Sequence, residues 1–270
     1  MNGIIFYDNA AAFRGGTTSV VVSASGNDGT YPVLVADENI QSYWQVDDSP
    51  GATWIKLDLG SVQLIRGWAL LNSNIETIGV TAVTLKVGTA DNGSTFDQTV
   101  DTLTVGSVSG CEPNVCSDYI SGMISKRYWR VEFSNPATGL RVGEIMLFRG
   151  YLALPETPDA PFTEVFTGQS ARGETERGHD LRSRRGGSLC ETVLNWDCHG
   201  STLKDSLDAL AESQEDRYPF VYIDHQQTAA SGFYPGCRCV YMPEGGAETT
   251  ELSPGEKYRS SLDLMDVKTP

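Results

Sequence analysis

Four cysteines in the last third of the chain have the chemistry to hold a metal centre. They are Cys190, Cys198, Cys237 and Cys239, with spacings C-x7-C and C-x-C. Four thiolates bind zinc or an iron–sulfur cluster, so such a site is chemically allowed. The spacing fits no standard motif, and paired disulfides or buried free thiols explain the same residues. A zinc or iron–sulfur site is therefore one of three alternatives for these residues.

The histidines give no catalytic constellation. His179, His199 and His225 are scattered, and Asp224 with His225 makes a suggestive pair. The sequence has no nucleophile elbow, no phosphate-binding loop of the Walker type and no H-E-x-x-H motif. We therefore expect no enzyme. The alternative, an accessory part of a glycan-active enzyme, needs two poised carboxylates in one cleft.

The charge balance excludes two classes of partner. The chain has 20 Lys and Arg residues against 35 Asp and Glu residues, a net charge of −15. Nucleic-acid binding relies on basic residues that neutralise phosphates, and the arginines between Arg172 and Arg185 are interleaved with acids. No run of about 18 apolar residues is present to span a bilayer. We expect neither nucleic acid nor membrane insertion.

The elements that would position a site in the first half are short strands. Thr53–Leu59 alternates, with Trp54 on one face and Leu57 on the other, which is typical of a half-buried strand. Similar segments recur between Gly, Asn, Asp, Ser and Pro breakers, and the pattern predicts an antiparallel sandwich. The segments are Ser19–Ala24, Thr53–Leu59, Leu64–Asn72, Ala82–Gly88, Asp101–Val105, Arg127–Phe133 and Arg141–Arg149.

Five pieces in order resemble discoidin domains, also called coagulation-factor type C or galactose-binding-like modules. That family joins a D-G-N-x-x-T-x-W loop to a W-I-x-x-D-L-G strand. The matching pieces here are Asp37–Trp44 with Trp54–Gly60, Leu64–Leu70, Gly88–Phe96, Arg127–Val131 and Leu140–Ile145. The resemblance implies that residues 1–150 form a galactose-binding-like jelly-roll β-sandwich, with Trp54, Trp68 and Trp129 in its core.

The resemblance also implies a calcium site. Carried over by position, Asp37, Ser42 and Glu144 would supply oxygens, the donors that Ca²⁺ prefers. The loop departs from the family pattern, because Glu38 replaces glycine and Ser42 replaces threonine. The alternative is that Asp37 and Ser42 cap a turn by bonding main-chain amides.

In the family, sugar binds to loops at one end of the sandwich. Aromatic rings there stack on sugar faces, and Asn and Arg side chains bond hydroxyls. The corresponding candidates for carbohydrate binding are Tyr31, Tyr43, Asn72, Asn74 and Arg127.

A second domain follows a linker. Residues 151–162 are rich in proline and lack periodicity, which is typical of a linker. Residues 163–270 then predict a small β-sandwich with one helix at 202–214, where Leu203, Leu207 and Leu210 form an apolar stripe. The order of a strand, a short helix, the strand Tyr218–Asp224, a polar strand and a final alternating strand resembles the tail-tip β-domain of bacteriophage distal tail and minor tail proteins.

Together these resemblances predict a phage tail-tip or baseplate subunit that carries a carbohydrate-binding module for host attachment. The expected partners are other tail subunits in a ring homo-oligomer and a host surface polysaccharide. The start, MNGIIFYDNAAAF, lacks the basic and apolar regions of a signal peptide, so the expected location is the virion, with release by lysis. The alternative is a non-viral sugar-binding adhesion module on a small scaffold domain.

Overall fold

The computed structural model describes most of the chain. It covers residues 3–12, 20–25, 32–46, 53–88, 96, 98–117, 120, 124–135, 138–154, 158, 163–174, 180–213, 218–224, 227–242, 247–253 and 257–267, with the main chain alone for 163–174, 180–191 and 213. Tyr31, a predicted sugar-binding residue, lies outside these ranges.

The secondary structure is all-β, as the sequence predicted, with one α-helix among the described residues. Two short 3-10 helices lie at Pro32–Ala36 and Val105–Ser107. In chain order the other elements are β1 (Ile4–Asn9), β2 (Val21–Ala24), β3 (Trp44–Gln45), β4 (Thr53–Ile65), β5 (Gly67–Leu71), β6 (Ala82–Gly88), β7 (Gln98–Thr104), β8 (Val115–Ser117), β9 (Ile124–Ser134), β10 (Arg141–Val142), β11 (Glu144–Ala153), β12 (Thr163–Glu174), β13 (Asp180–His199), α1 (Ser201–Ser213), β14 (Phe220–Ile223), β15 (Phe233–Pro235), β16 (Arg238–Tyr241), β17 (Ala247–Ser253) and β18 (Lys257–Asp266).

The chain divides into two compact units. The first combines Met1–Leu154 with Phe220–Cys239 and Thr269–Pro270, and the second combines Pro155–Pro219 with Val240–Lys268. The continuous part of the first unit ends inside the proline-rich segment 151–162 that the sequence predicts as a linker. The first unit also takes in Phe220–Cys239, which the sequence assigns to the C-terminal domain.

In the described residues, the first unit holds two larger antiparallel sheets and the two-stranded pair of β3 and β10. One larger sheet has the order β2-β4-β9-β6-β7, and the strands of the other follow the order β14-β1-β11-β5-β8-β15. In the five-stranded sheet, Leu57 pairs with Trp129, and Leu85 pairs with Val131. These four side chains are buried, so the apolar positions of the alternating pattern face the core, as expected for half-buried strands.

Tryptophans fill much of this core, with one exception to the prediction. Trp44, Trp68 and Trp129 are at most 1% exposed. Trp54, predicted in the core, is half-buried on the opposite face of β4 from Ile55 and Leu57. The alternation that buries Ile55 requires this, because successive strand residues point to opposite faces.

The buried position of strand β14 explains why its sequence is apolar throughout. All four residues of Phe220–Ile223 are buried, and the strand pairs with β1 through Ile4 and Ile223. A strand covered on both faces needs no alternation. The C-terminal part of the chain thus completes a sheet of the first unit.

In the second unit β13, β16 and β17 all pair with β18. Strand β12 pairs with β13. Helix α1 starts and ends one residue before the predicted bounds, and its stripe of Leu203, Leu207 and Leu210 is buried. In the described residues, no helix combines the length and apolar character needed to cross a membrane.

Candidate functional site

A cleft of about 310 Å³ opens in the first unit where β5 ends and β10 begins. We call it the Tyr43 cleft. Its described lining residues are Tyr43, Asn72, Ser73, Asn74 and Arg141. The two-stranded pairing of β3 with β10 sets Arg141 opposite Gln45 and Val142 opposite Trp44. This pairing brings Arg141 beside Tyr43, although the two are far apart in sequence.

Asn74 holds the cleft together. Its side-chain Nδ2 donates to the carbonyl of Gly139 at 2.9 Å, and its Oδ1 accepts from the amide of Arg141 at 2.7 Å. The side-chain amide thus acts as one rung of a β-ladder between the β5–β6 connection and β10. Both polar atoms of Asn74 are used in this way, so its main role is to position Arg141.

Asn72 fixes the other wall. Its backbone is left-handed, with φ of 49°, a conformation that Asn tolerates better than most residues. Its Nδ2 donates to the carbonyl of Ile40 at 2.7 Å. A side chain on Gly143 would place Cβ 2.7 Å from the Cβ of Asn72 and 3.1 Å from the carbonyl oxygen of Ile40. The close approach of these segments therefore requires glycine at position 143.

Three groups remain for a ligand. The guanidinium carbon of Arg141 lies 5.6 Å from the centroid of the Tyr43 ring, which is cation–π range. Arg141 is exposed and Tyr43 is half-buried. The hydroxyl of Ser73 is buried and has no hydrogen-bond partner. The cleft thus offers an aromatic ring, a set of guanidinium donors and an unsatisfied hydroxyl.

Below the cleft, Glu144 is a buried carboxylate at the start of β11. Its exposed fraction is 0%, and neither carboxylate oxygen has a hydrogen-bond partner. Burial, and then the charges of Asp37 and Glu38, raise the pKa of Glu144 well above its ordinary value. The main-chain amide of Glu38 acts to lower this pKa, but it makes no hydrogen bond of normal geometry to the Glu144 carboxylate. A buried, unpaired carboxylate is costly, so a proton or a cation is needed to neutralise it.

The loop that carries Asp37 is folded as a tight turn. Asp37 accepts from the amide of Asn39 at 2.9 Å and from the Ser42 hydroxyl at 2.8 Å, the contacts expected of a capped turn. Glu38 is left-handed, with φ of 58°. Glycine adopts this conformation freely, and other residues adopt it less readily.

The loop and Glu144 form an oxygen-rich corner. Asp37 and Ser42 bond to each other, and the charge of Asp37 acts on Glu144. In the described part of the chain no three His, Cys, Asp or Glu side chains converge as metal ligands. A cation bound here would take its other ligands from the Ser42 hydroxyl and from main-chain carbonyls, which suits a hard ion such as Ca²⁺.

Arg127, a predicted sugar-binding residue, has a different position. Its Nε and Nη2 bond to the two carboxylate oxygens of Asp58 at 2.6 and 2.8 Å. These hydrogen bonds hold the pKa of Asp58 below its ordinary value. The structure places this pair on β4 and β9, and Arg127 is not among the described residues that line the Tyr43 cleft.

The four cysteines of the predicted metal centre are described only in part. The side chain of Cys190 lies outside the described residues, Cys198 is exposed, and Cys237 and Cys239 are buried. Cys111 is not one of the four, but it is also buried. Burial raises the pKa of its thiol to about 12, and nearby Glu76, Glu112 and Cys237 add to this. A zinc or iron–sulfur site stays a prediction. If the four cysteines hold an iron–sulfur cluster, anaerobically purified protein should be brown and should contain iron and sulfide. Colourless protein with no bound metal would leave disulfides or free thiols.

Comparison with known proteins gives similarity at the level of solved structures. No protein-family model and no curated protein matches the sequence. The lectin domain of Lectinolysin, complexed with Lewis B antigen, is 19% identical, covers 54% of this chain and 99% of its own, and has a TM-score of 0.41. A chitosan-binding module of a Paenibacillus sp. IK-5 chitosanase/glucanase is 21% identical, with coverages of 53% and 99% and a TM-score of 0.41. A fucose-binding module of Streptococcus pneumoniae is 15% identical, with coverages of 53% and 98% and a TM-score of 0.40.

The sequence identified part of this cleft and missed part of it. Tyr43, Asn72 and Asn74 meet there, but Ser73 and Arg141 were not predicted. Ser73 gave no signal, because the hydrogen bonds of its two asparagine neighbours are visible only in the structure. Arg141 gave none either, since only the pairing of β3 with β10 brings it to Tyr43.

Proposed function

We propose that the first unit binds carbohydrate in the Tyr43 cleft. The observation that supports this most directly is the Tyr43 ring beneath the Arg141 guanidinium, next to the buried and unpartnered hydroxyl of Ser73. A pyranose presents an apolar face of C–H groups and an edge of hydroxyls. The ring suits the apolar face, and the guanidinium and the serine hydroxyl suit the edge.

The chemistry of the lining favours binding over catalysis. Of the described residues that line the Tyr43 cleft, none has a carboxylate, an imidazole or a thiol. Glycoside hydrolysis needs two carboxyl groups beside the scissile bond. The proposal is therefore a lectin-type site without turnover.

Variants of the cleft test this proposal in the full-length protein. A hydrogen bond to a charged group contributes about 1.5–3 kcal/mol, so Arg141→Ala should weaken glycan binding by roughly 10- to 100-fold. Tyr43→Ala should weaken it as well, because the stacking surface is lost. The control is Arg149→Ala, which removes an arginine of similar type that pairs with Asp8 at 2.5 Å on another strand.

The measurement is a glycan array followed by calorimetry on the best glycan. Array signals that fall in both cleft variants, but not in the Arg149 control, support the site. An array on which wild type binds no glycan, or binding that is equal in all four proteins, would falsify the assignment of this cleft.

We further propose that Asp37, Ser42 and Glu144 hold a calcium ion that braces the cleft. The loop of Asp37 runs directly into Tyr43, and Glu144 follows Gly143 in the segment that packs on Asn72. The ion would supply positive charge that neutralises the carboxylates. The loop from Asp37 to Ser42 would hold the Tyr43 ring in position.

The wider role that we propose is attachment of a phage tail tip to its host. The support is the order along the sequence of a strand, a short helix and a final alternating strand, which resembles tail-tip β-domains, although the strand Phe220–Ile223 within that order belongs to the first unit. Several weak sugar sites on one ring would raise the avidity by about 10²–10⁴ when they engage together. Sedimentation of the full-length protein tests this: a monomer at all concentrations would favour a non-viral sugar-binding module.

A further inference from the structure

A second cleft, of about 430 Å³, lies where β4 begins and β9 ends. It shares no described lining residue with the Tyr43 cleft. Its described lining residues are Thr53, Trp54, Arg130, Glu132, Phe133, Ser134 and Asn135. We call it the Trp54 cleft. Its volume is within the range of small-molecule sites, roughly 300–1,000 Å³.

The charged groups of the Trp54 cleft are held in fixed positions. Arg130 forms an ion pair with Glu132, and Lys86 bonds to the other oxygen of Glu132 at 2.7 Å. The Arg130 guanidinium lies 5.9 Å from the Trp54 ring centroid and 4.7 Å from that of Phe96, and 14% of its side chain is exposed. The cleft therefore presents donors and acceptors that lose little entropy when a ligand binds.

Trp54, Arg130 and Glu132 share one face of the sheet. Trp54 pairs with Glu132 across β4 and β9, and Lys56 pairs with Arg130. Thr53 pairs with Phe133 on the opposite face, where both are buried. Asn135 lines the same cleft in a left-handed conformation, with φ of 52°.

We propose that the Trp54 cleft is a second saccharide site, which takes one neutral pyranose unit independently of the Tyr43 cleft. The half-buried indole of Trp54 offers a surface for the apolar face of the sugar. Vicinal hydroxyls can accept from Arg130 and donate to Glu132 at the same time.

Trp54 reports on this cleft by itself. The chain has five tryptophans, and the other four are at most 1% exposed. Acrylamide quenching of the full-length protein therefore measures access to the Trp54 indole. We expect D-galactose, D-glucose, L-fucose or N-acetyl-D-glucosamine, each tested at millimolar concentration, to shield Trp54 from the quencher in a saturable manner.

Variants separate this site from the Tyr43 cleft. Glu132→Gln keeps the shape but removes the charged acceptor, so it should weaken the binding of the shielding sugar by roughly 10- to 100-fold, the equivalent of one hydrogen bond to a charged group. Its melting temperature checks that it folds. Thr53→Val, on the buried face of β4, and Tyr43→Ala should leave the shielding unchanged.

Three results would overturn the proposal. The first is no shielding by any of the four sugars, or shielding by inorganic phosphate in their place. The second is shielding that disappears in Tyr43→Ala, which would assign the signal to the first cleft. The third is shielding that Glu132→Gln leaves unchanged. Shielding that survives in Tyr43→Ala but weakens in Glu132→Gln supports a second site, even if the Tyr43 cleft binds no sugar.

Discussion

Replacing Glu144 by glutamine should stabilise the protein in chelator and remove most of its response to calcium. In chelator the wild-type carboxylate is buried without a partner, and burial raises its pKa in the folded state. Above the ordinary glutamate pKa near 4.3, folding then costs up to about 1.4 kcal/mol for each pH unit until the pH reaches the folded-state pKa. A glutamine side chain at this position would need no proton, so in chelator the Glu144→Gln protein should be the more stable of the two.

Calcium should stabilise wild type and leave the variant nearly unchanged. A ligand at about 100 times its Kd stabilises the native state by about 2.7 kcal/mol, and only the wild type retains the carboxylate that holds the ion. For a unit of this size 1 kcal/mol moves Tm by about 2–4 °C. We therefore expect wild type to gain roughly 5–10 °C with calcium and the variant to gain much less. Glu212→Gln, on the exposed face of α1, is the control and should match wild type in both buffers.

The pH dependence of stability in chelator is an independent test of whether the Glu144 carboxyl destabilises the folded protein. Because burial raises the folded-state pKa of Glu144, its contribution to stability should fall as pH rises above about 4.3. The Glu144→Gln protein should lack this decline. The reasoning fails if the variant is less stable than wild type in chelator at pH 7, or if calcium raises both midpoints equally.

Three further predictions use thermal unfolding or glycan binding. Gly143→Ala should destabilise the protein by about 1–3 kcal/mol, because its Cβ has no room, while Gly106→Ala, in open space, should not; equal midpoints would contradict the close packing. Asn74→Ala should weaken glycan binding although its amide bonds to the protein; unchanged affinity would show that Arg141 needs no such support. The Asp58→Asn protein should be less stable than wild type at neutral pH and approach it as pH falls below about 4, because Arg127 lowers the Asp58 pKa; a constant difference would contradict this.

The fold of the first unit was predictable where the pattern was local. The alternation in Thr53–Leu59 identified a half-buried strand, and Ile55 and Leu57 are buried as expected. The same alternation conflicts with a core position for Trp54, and the structure resolves the conflict in favour of the alternation. Strand period thus predicted side-chain direction better than the hydrophobicity of a single residue.

The non-local parts could not be predicted in this way. Nothing in Phe220–Ile223 tells which sheet it joins, since a strand that is buried on both faces fits the edge of any sheet with a free ladder. Arg141 is an ordinary exposed arginine until β10 pairs with β3. The sequence predicts Asn74 as a ligand contact, but its side-chain amide bonds to the main chain. Short polar side chains readily replace a backbone partner in this way.

The pairing of β1 with β14 affects how the protein is made. Ile4 emerges from the ribosome long before its ladder partner Ile223 is translated. During synthesis β1 has one free side, and an apolar edge strand with unpaired main-chain groups is a template for aggregation. Pairing over such a sequence separation also slows folding. A chain cut at residue 154 would keep that open edge permanently. In the full chain, β14 covers the edge of β1 and prevents it from pairing with other chains.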